Sequence, residues 1–571
     1  MVHKSAMRAD FVLRGGTVCD GSGASARTAD VVVADGHIVG VGRFDGCARR
    51  VIDVSGLIVA PGFIDVHTHY DAQVTWDGLC TPSCWHGVTS VVLGNCGFAL
   101  APCRPEARDS ALRMLEHVEG MPYESLRAGV AWQWESIPEY LQMLARRDLG
   151  PNVGVLLGHS AIRAYVLGDA AYERAANSSE VADMQHLVRG GMAAGALGLA
   201  TSFSPGHVGA AGRPVPSRLA TRDELAALAA AMAESGHGML EITPETFPIS
   251  AAELAALQAL AQATDRPISF SAILDLPERA DAWQPVFAQL RAAATDGAQV
   301  VPQVSCRPMR FDFDLETGCA SLDALPCWRR FRAAASAAER RALLGDAGFR
   351  ADFRRESIGR PESPSSRRWA SAILEHASHP QTAELVGRSL ADIAALRGGD
   401  VVDALFDTAF ADSGARYSML LLNFDEHRVA ELLRQPESLI ALSDAGAHVS
   451  VLCDAGYATH LLGHWVRERS LFGWEEAVRR LTAMPAAIYG IAQRGRLVAG
   501  GVADITCFDP TRVAMLPPQR VRDFPAGAER YIARAEGIER VFVGGEEFLV
   551  EGECTGAYPG RVLSSQVGPQ P

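Results

Sequence analysis

The sequence predicts an α/β fold: a closed parallel (β/α)8 barrel of the TIM type with a small β-sandwich domain built from both chain termini. Three observations carry this expectation. Through the middle of the chain, eight short apolar runs bounded by polar or Gly-rich turns alternate with helical stretches, the pattern of buried parallel strands. Both ends show instead short alternating strands separated by Gly and Asp-Gly turns. The length of 571 residues exceeds one ordinary core and suits a barrel with additions.

At the N-terminal end the strand candidates are Asp10 to Arg14, Asp30 to Val33 and His37 to Val41. Ala503 to Phe508, Ile538 to Val543 and Phe548 to Val550 answer them at the C-terminal end. The eight barrel candidates are Leu57 to Ile64, Ser90 to Leu93, Val153 to Leu157, Ala196 to Ala200, Gly238 to Ile242, Pro267 to Ile273, Gln299 to Val304 and Leu439 to Leu442. The long gap before the last strand holds the charged, Ala-rich segment Trp328 to Arg354 and the Pro/Ser-rich Pro361 to Ser366. It reads as a helical insertion at about 310–435. The expected domains are 1–60 and 491–571 for the two parts of the small β domain and 61–490 for the barrel.

Composition excludes several classes. The net charge is −14, and no Lys/Arg cluster supplies the basic face that a nucleic-acid partner needs. Arg329-Arg330 with Arg332, and Arg340-Arg341, read as the solvated face of a helix. Met1 to Asp10 lacks the apolar core of an export signal, and Glu224 to Met239 is too short and too charged to cross a bilayer. The expectation is a cytoplasmic protein with no membrane partner. Its twelve cysteines are then read as free thiols, most of them small buried side chains. The single lysine, Lys4, stands against more than fifty arginines. No core lysine exists to form a Schiff base or to be carboxylated as a metal bridge.

The segment Pro61-Gly62-Phe63-Ile64-Asp65-Val66-His67-Thr68-His69 carries the chemistry. An apolar strand runs into His-x-His, and residues two apart on a strand point the same way. Both imidazoles therefore reach one ion, at the C-terminal mouth where barrel enzymes place their active sites.

These residues, with Gly94-Asn95-Cys96-Gly97 and Ser443-Asp444-Ala445-Gly446-Ala447-His448, resemble the amidohydrolase superfamily and, within it, the N-acyl-D-amino-acid deacylase (D-aminoacylase) family. Gly158 to Arg163, Gly195 to Ser202, Gln303 to Pro308 and Gly495 to Pro510 extend the resemblance over nearly the whole chain. It implies a metal-dependent hydrolase of an amide bond, acting on an N-acyl-D-amino acid to give a carboxylate and a D-amino acid. In that family a second-strand cysteine bridges the metals, the place taken here by Cys96. The resemblance makes Asp444 both a metal-facing carboxylate and the general base that moves a proton from water to the leaving amine. The fold also hosts hydrolases of cyclic amides, carbamates and esters, and degenerate barrels that only bind a ligand.

The sequence departs from the family at strands five and six, which each end in a histidine in familiar members. Here the stretches read Gly238-Met239-Leu240-Glu241-Ile242-Thr243 and Pro267-Ile268-Ser269-Phe270-Ser271. Glu241 is the candidate extra ligand. The expected set is His67, His69, Cys96 and Asp444 around Zn2+, one or two ions with a single ion favoured. His207 and His237 read as surface-loop histidines. A small-molecule substrate bearing a carboxylate calls for arginine. Arg163 and Arg307 follow strands three and seven, with His159 and Gln303 four residues before each, and these four are the expected substrate contacts. The reading leaves room for a homo-oligomer.

Overall fold

A computed structural model of the chain describes residues 9–564 apart from 294–298, 316–321, 323–324 and 360–363. Lys4, part of the Pro/Ser-rich stretch and the last residues lie outside the described set. The described chain forms two compact units: residues 9–274, 281–307 and 430–564 in the first, and 275–280 with 308–429 in the second.

The first unit contains the eight parallel strands. They are Phe63–Asp65, Val88–Leu93, Asn152–Gly158, Gly198–Ser202, Met239–Thr243, Ile268–Ile273, Val300–Val304 and Leu439–Ile440, hydrogen-bonded in sequence order. A parallel bridge between Thr68 and Ala445 joins the first to the last, which closes the ring. Val92, Leu156, Leu197, Ala200, Met239 and Leu439 are among the buried residues of one apolar cluster. Burial on both faces explains why these strands read as continuous apolar runs.

The expected first barrel strand, Leu57 to Ile64, is two strands. Ile58–Pro61 pairs antiparallel with Ile505–Phe508 in the terminal sheet, and Phe63–Asp65 starts the barrel. Gly62 is the break. Its N–H donates to Asp504 O at 2.9 Å, and a Cβ there would lie 2.1 Å from Thr89 Oγ1. The chain can switch sheets at that point because nothing projects toward strand two.

The termini build one nine-stranded sheet. Along its path run Glu553–Cys554, Glu546–Val550, Ile538–Val543, Ile505–Phe508, Ile58–Pro61, Ala9–Val18, Arg27–Ala34 and His37–Gly42, with Ala48–Asp53 paired to Ala9–Val18. The sheet folds over itself. Phe11 from one end stacks on Phe542 from the other at 4.9 Å, and Leu13, Val31, Val33, Ile505 and Phe542 share one buried core. The layering is that of a small sandwich.

The second unit is not purely helical. Among its helices it holds a three-stranded antiparallel sheet, Met309–Asp314, Arg416–Leu422 and Ile373–His376, in which the central strand is Arg416–Leu422. Phe313 stacks on Tyr417 at 5.4 Å and on Phe311 at 5.2 Å, and Phe353, Phe406, Phe349 and Phe331 continue the aromatic core. Among the described residues no helix is long and apolar enough to cross a membrane.

The tight approach at Gly62 is testable. Gly62→Ala forces the chain off the buried Thr89 side chain and should cost about 1–3 kcal/mol, read as a lower melting temperature. A melting temperature equal to wild type would show that the two sheets part freely there.

Candidate metal centre

Barrel strand one ends at Asp65, and the chain stays extended long enough to aim two imidazoles inward. Thr68 turns the opposite way and hydrogen-bonds strand two, with Oγ1 donating to Val92 O at 2.7 Å and N–H at 3.3 Å. His67 and His69 therefore share a side, their ring centroids 5.3 Å apart. Cys96 arrives from the turn after strand two. Gly94 (φ 85°) lies so close to strand three that a Cβ would meet Leu156 O at 2.2 Å. Asn95 Nδ2 donates to Thr68 O and Val92 O, and Cys96 itself sits at φ 55°. This left-handed backbone is uncommon for a side chain with a Cβ and is held by the surrounding bonds.

The result is a buried group of His67, His69 and Cys96 whose ligand atoms all lie within 4.8 Å of one another. His67 Nε2 is 3.6 Å from Cys96 Sγ and 3.2 Å from Asp444 Oδ1, and His69 Nε2 is 3.8 Å from the same carboxylate oxygen. The other ring nitrogens are turned away from the group. His67 Nδ1 is 2.7 Å from Gln303 Oε1, and His69 Nδ1 is 3.1 Å from Glu119 Oε1. Gln303 Oε1 accepts the His67 Nδ1–H, which leaves the Nε2 lone pair of that ring for the group, while His69 and Glu119 form a buried ion pair. Two imidazole nitrogens and a sulfur, buried and mutually facing, are a donor set suited to zinc.

The electrostatics follow from burial and close partners. Burial disfavours the ionised Asp444, but the His69 hydrogen bond and the charges of His67, His69 and His448 outweigh it and hold the carboxyl well below its usual range. Burial pushes His67 down, while Asp444 and Gln303 pull the other way. For His69 burial loses to Glu119 and Asp444, and its affinity for a proton rises. Burial, with Glu241 behind it, pushes the Cys96 thiol up to about 12. Such a thiol keeps its proton at neutral pH, and only a bound cation would draw it to the thiolate.

Four expected contacts need correction. Glu241 adds no oxygen to the group: its Oε2 accepts from Cys96 N–H at 2.8 Å and its Oε1 from Ser271 Oγ at 3.0 Å. Thr243 Oγ1 donates to Cys96 Sγ at 3.3 Å. The strand ends that lack histidines thus brace the cysteine turn. Gln303, expected on the substrate, holds His67; its Nε2 also donates to Ser269 Oγ at 3.1 Å. Arg163 has no exposed surface and pairs with the buried Glu224, and its Nη2 donates to Arg174 O at 2.9 Å. His159 bonds the same Glu224 at 2.9 Å and Thr201 Oγ1 at 2.8 Å. Charges with no access to solvent must be paired inside, and here the pairing consumes the expected substrate contacts. Arg307 keeps 12% of its side chain exposed, with Nη1 donating to Cys453 O at 2.9 Å and lying 3.3 Å from Asp454 Oδ1.

Two residues at the site were missed or misread from the sequence. Glu119 closes the helix Arg108–Glu119, and its pairing to His69 has no local signature. His207 stands in the loop after strand four but is half-buried and packed inward: its Nδ1 lies 2.6 Å from Ser202 Oγ and its ring 5.1 Å from Phe98. Burial pushes it down to about 4, against the charge of Glu119.

A parallel barrel with two imidazoles, a thiol and a carboxylate converging at its C-terminal mouth defines a metal-dependent hydrolase. The family model described as the amidohydrolase family matches residues 50–547, and the chain belongs to that family. The D-aminoacylase of Alcaligenes xylosoxydans xylosoxydans is 31% identical over 97% of each chain. The N-acyl-D-aspartate deacylase of the same organism is 28% identical over 98% of this chain and 95% of its own. Among solved structures, a D-aminoacylase superposes with a TM-score of 0.65 at 26% identity, covering 97% of this chain and all (100%) of its own. The N-acyl-D-glutamate deacylase of Bordetella bronchiseptica, solved with zinc and a phosphonate mimic of the tetrahedral intermediate, also gives 0.65 at 26% identity, over 98% and 100%.

The Gln303 contact gives a direct test. Gln303→Leu removes the acceptor that holds the His67 tautomer and should weaken metal binding ~10–100-fold, measured by chelator competition. Unchanged affinity would show that His67 needs no such support.

Proposed function

We propose that the chain hydrolyses the amide bond of N-acyl-D-amino acids, releasing a carboxylate and a D-amino acid, with zinc held by His67, His69 and Cys96 beside Asp444. The observation that carries the reading is the convergence of one ligand atom each from His67, His69 and Cys96 within 4.8 Å, in a chain whose full-length relatives are named for this activity.

A single ion is favoured. Strands five and six bring no imidazole, and both oxygens of Glu241 are engaged on Cys96 N–H and Ser271. When bound, the zinc supplies Lewis acidity to the acyl carbonyl and to the attacking water. The protein supplies the rest. Asp444, held ionised by its histidine neighbours, accepts the proton of the attacking water and returns it to the departing nitrogen. Gln303 keeps His67 in one tautomer, and Glu119 pairs with His69. Arg307, the partly exposed arginine of the two expected contacts, meets the substrate carboxylate, sharing its guanidinium with Asp454. A reducing compartment, the cytoplasm, is the fitting address for a centre that needs a free thiol.

The test combines metal analysis with a substrate panel. Purified protein should carry about one tightly held zinc per chain, lost in the His67→Ala/His69→Ala double variant. It should hydrolyse N-acyl-D-amino acids and leave the L series intact. Asp444→Asn should lower kcat ~100–10,000-fold. Preference for L-series, cyclic or ester substrates overturns the substrate class. Absence of both zinc and turnover overturns the enzyme and leaves a ligand-binding barrel.

A further inference from the structure

The geometry points to Glu119 as the residue that positions His69 for the metal, a positioning carboxylate outside every motif read from the sequence. The inference rests on the reading of His67, His69 and Cys96 as a metal centre.

Glu119 occupies an unexpected place. Helix Arg108–Glu119 buries Leu112, Leu115 and Glu119, a stripe at helical spacing. A carboxylate ends an otherwise apolar face and is 3% exposed. Burying that charge is costly unless it is paired. The pairing is His69, whose Nδ1 lies 3.1 Å from Glu119 Oε1 with both side chains buried.

The backbone of the same residue is also tied to the site. The helix stops at Gly120 in the left-handed region, which turns its last carbonyls outward. Glu119 O accepts the His448 N–H, and Gly120 O accepts Ser450 Oγ at 3.0 Å. His448 and Ser450 lie in the loop that follows Asp444. One helix end is thus fastened to His69 through its side chain and to the last-strand loop through its carbonyls. It sets the imidazole and the loop in a single frame.

The two imidazoles have unlike partners, a neutral amide hydrogen-bonded to His67 and a carboxylate ion-paired with His69. With a cation on Nε2, a carboxylate this close to Nδ1 would accept its N–H, fixing the tautomer and making Nε2 the stronger electron donor. The charges of His207 and His448 also act on this carboxylate. The sequence offers no third or fourth imidazole from strands five and six. With fewer nitrogen ligands, affinity depends more heavily on how well the two are aimed.

The experiment measures zinc affinity of the full chain by chelator competition for wild type, Glu119→Gln and Glu119→Asp, with melting of each metal-free protein as a check of the fold. Glu119→Gln should bind zinc ~10–100-fold more weakly, with metal-free melting close to wild type. Glu119→Asp, which keeps the charge and shortens its reach, should fall between, and it carries the test if the glutamine variant does not fold. In zinc-loaded protein labelled with 15N-histidine, the His69 Nδ1–H proton should lie far downfield in wild type and move upfield in Glu119→Gln. Variants that bind zinc as tightly as wild type, with that proton unmoved, overturn the role of Glu119 alone. Wild-type protein that holds no zinc overturns the metal centre and this inference together.

Discussion

The seam between the first and last barrel strands is where the site is made. His69 N–H donates to Ala445 O at 2.7 Å, and Ser443 Oγ donates to His67 O at 2.9 Å. These bonds fix the register of Val66–His69 against Ser443–Gly446. With that register set, His67 and His69 project toward the carboxylate of Asp444, whose own backbone is left-handed at φ 42°. A slip of one residue would turn both imidazoles away, because side chains alternate along an extended chain. Closing the barrel and building the centre are therefore the same event.

The mouth is crowded with buried acids. Asp65, Asp71, Glu119 and Glu241 are all at or below 3% exposure. Burial pushes Asp65, Asp71 and Glu241 up to about 7, whereas Glu119 and Asp444 stay ionised because imidazoles lie against them. An excess of carboxylates around two histidines is an expensive arrangement for a protein meant to stay empty. A dication among them lowers the cost of every ionised neighbour. The helix–strand pairing of His69 with Glu119 and the strand pairing of His67 with Gln303 then act as the rigid supports that such an ion requires.

How much of this was legible depends on the range of the interaction. His67, His69, Cys96 and Asp444 each sit at a strand end inside a short motif, so local pattern sufficed to bring them forward. The roles of Gln303 and Glu241 are set by which strands lie opposite each other, 236 and 145 residues away in sequence. Periodicity places both on strands but not against a partner. Arg163 misled for a similar reason. A guanidinium just past a strand end looks available until its distant partner Glu224 is known. In the second unit, Phe311-Asp312-Phe313-Asp314 does alternate with period two, and the burial of Phe311 and Phe313 follows it. The Ala-rich helical composition around it masked a strand that was there to be read.

The missing histidines of strands five and six take on a different meaning once Cys96 is seen in place. The positions near them are not idle. Glu241, Thr243 and Ser271 form one hydrogen-bonded patch, with Thr243 Oγ1 3.2 Å from Ser271 Oγ, and the patch contacts both the backbone N–H and the sulfur of Cys96. Imidazoles there would add ligands; short polar side chains hold one ligand still. Cys96 needs such bracing because its backbone sits in the left-handed region, at a cost of order 1–3 kcal/mol for a residue with a Cβ. The surrounding bonds offset that cost and aim the sulfur at the two Nε2 atoms. Ligand number and ligand precision trade against each other. In this chain one side of the barrel brings His67, His69 and Cys96 together and the other braces the cysteine turn.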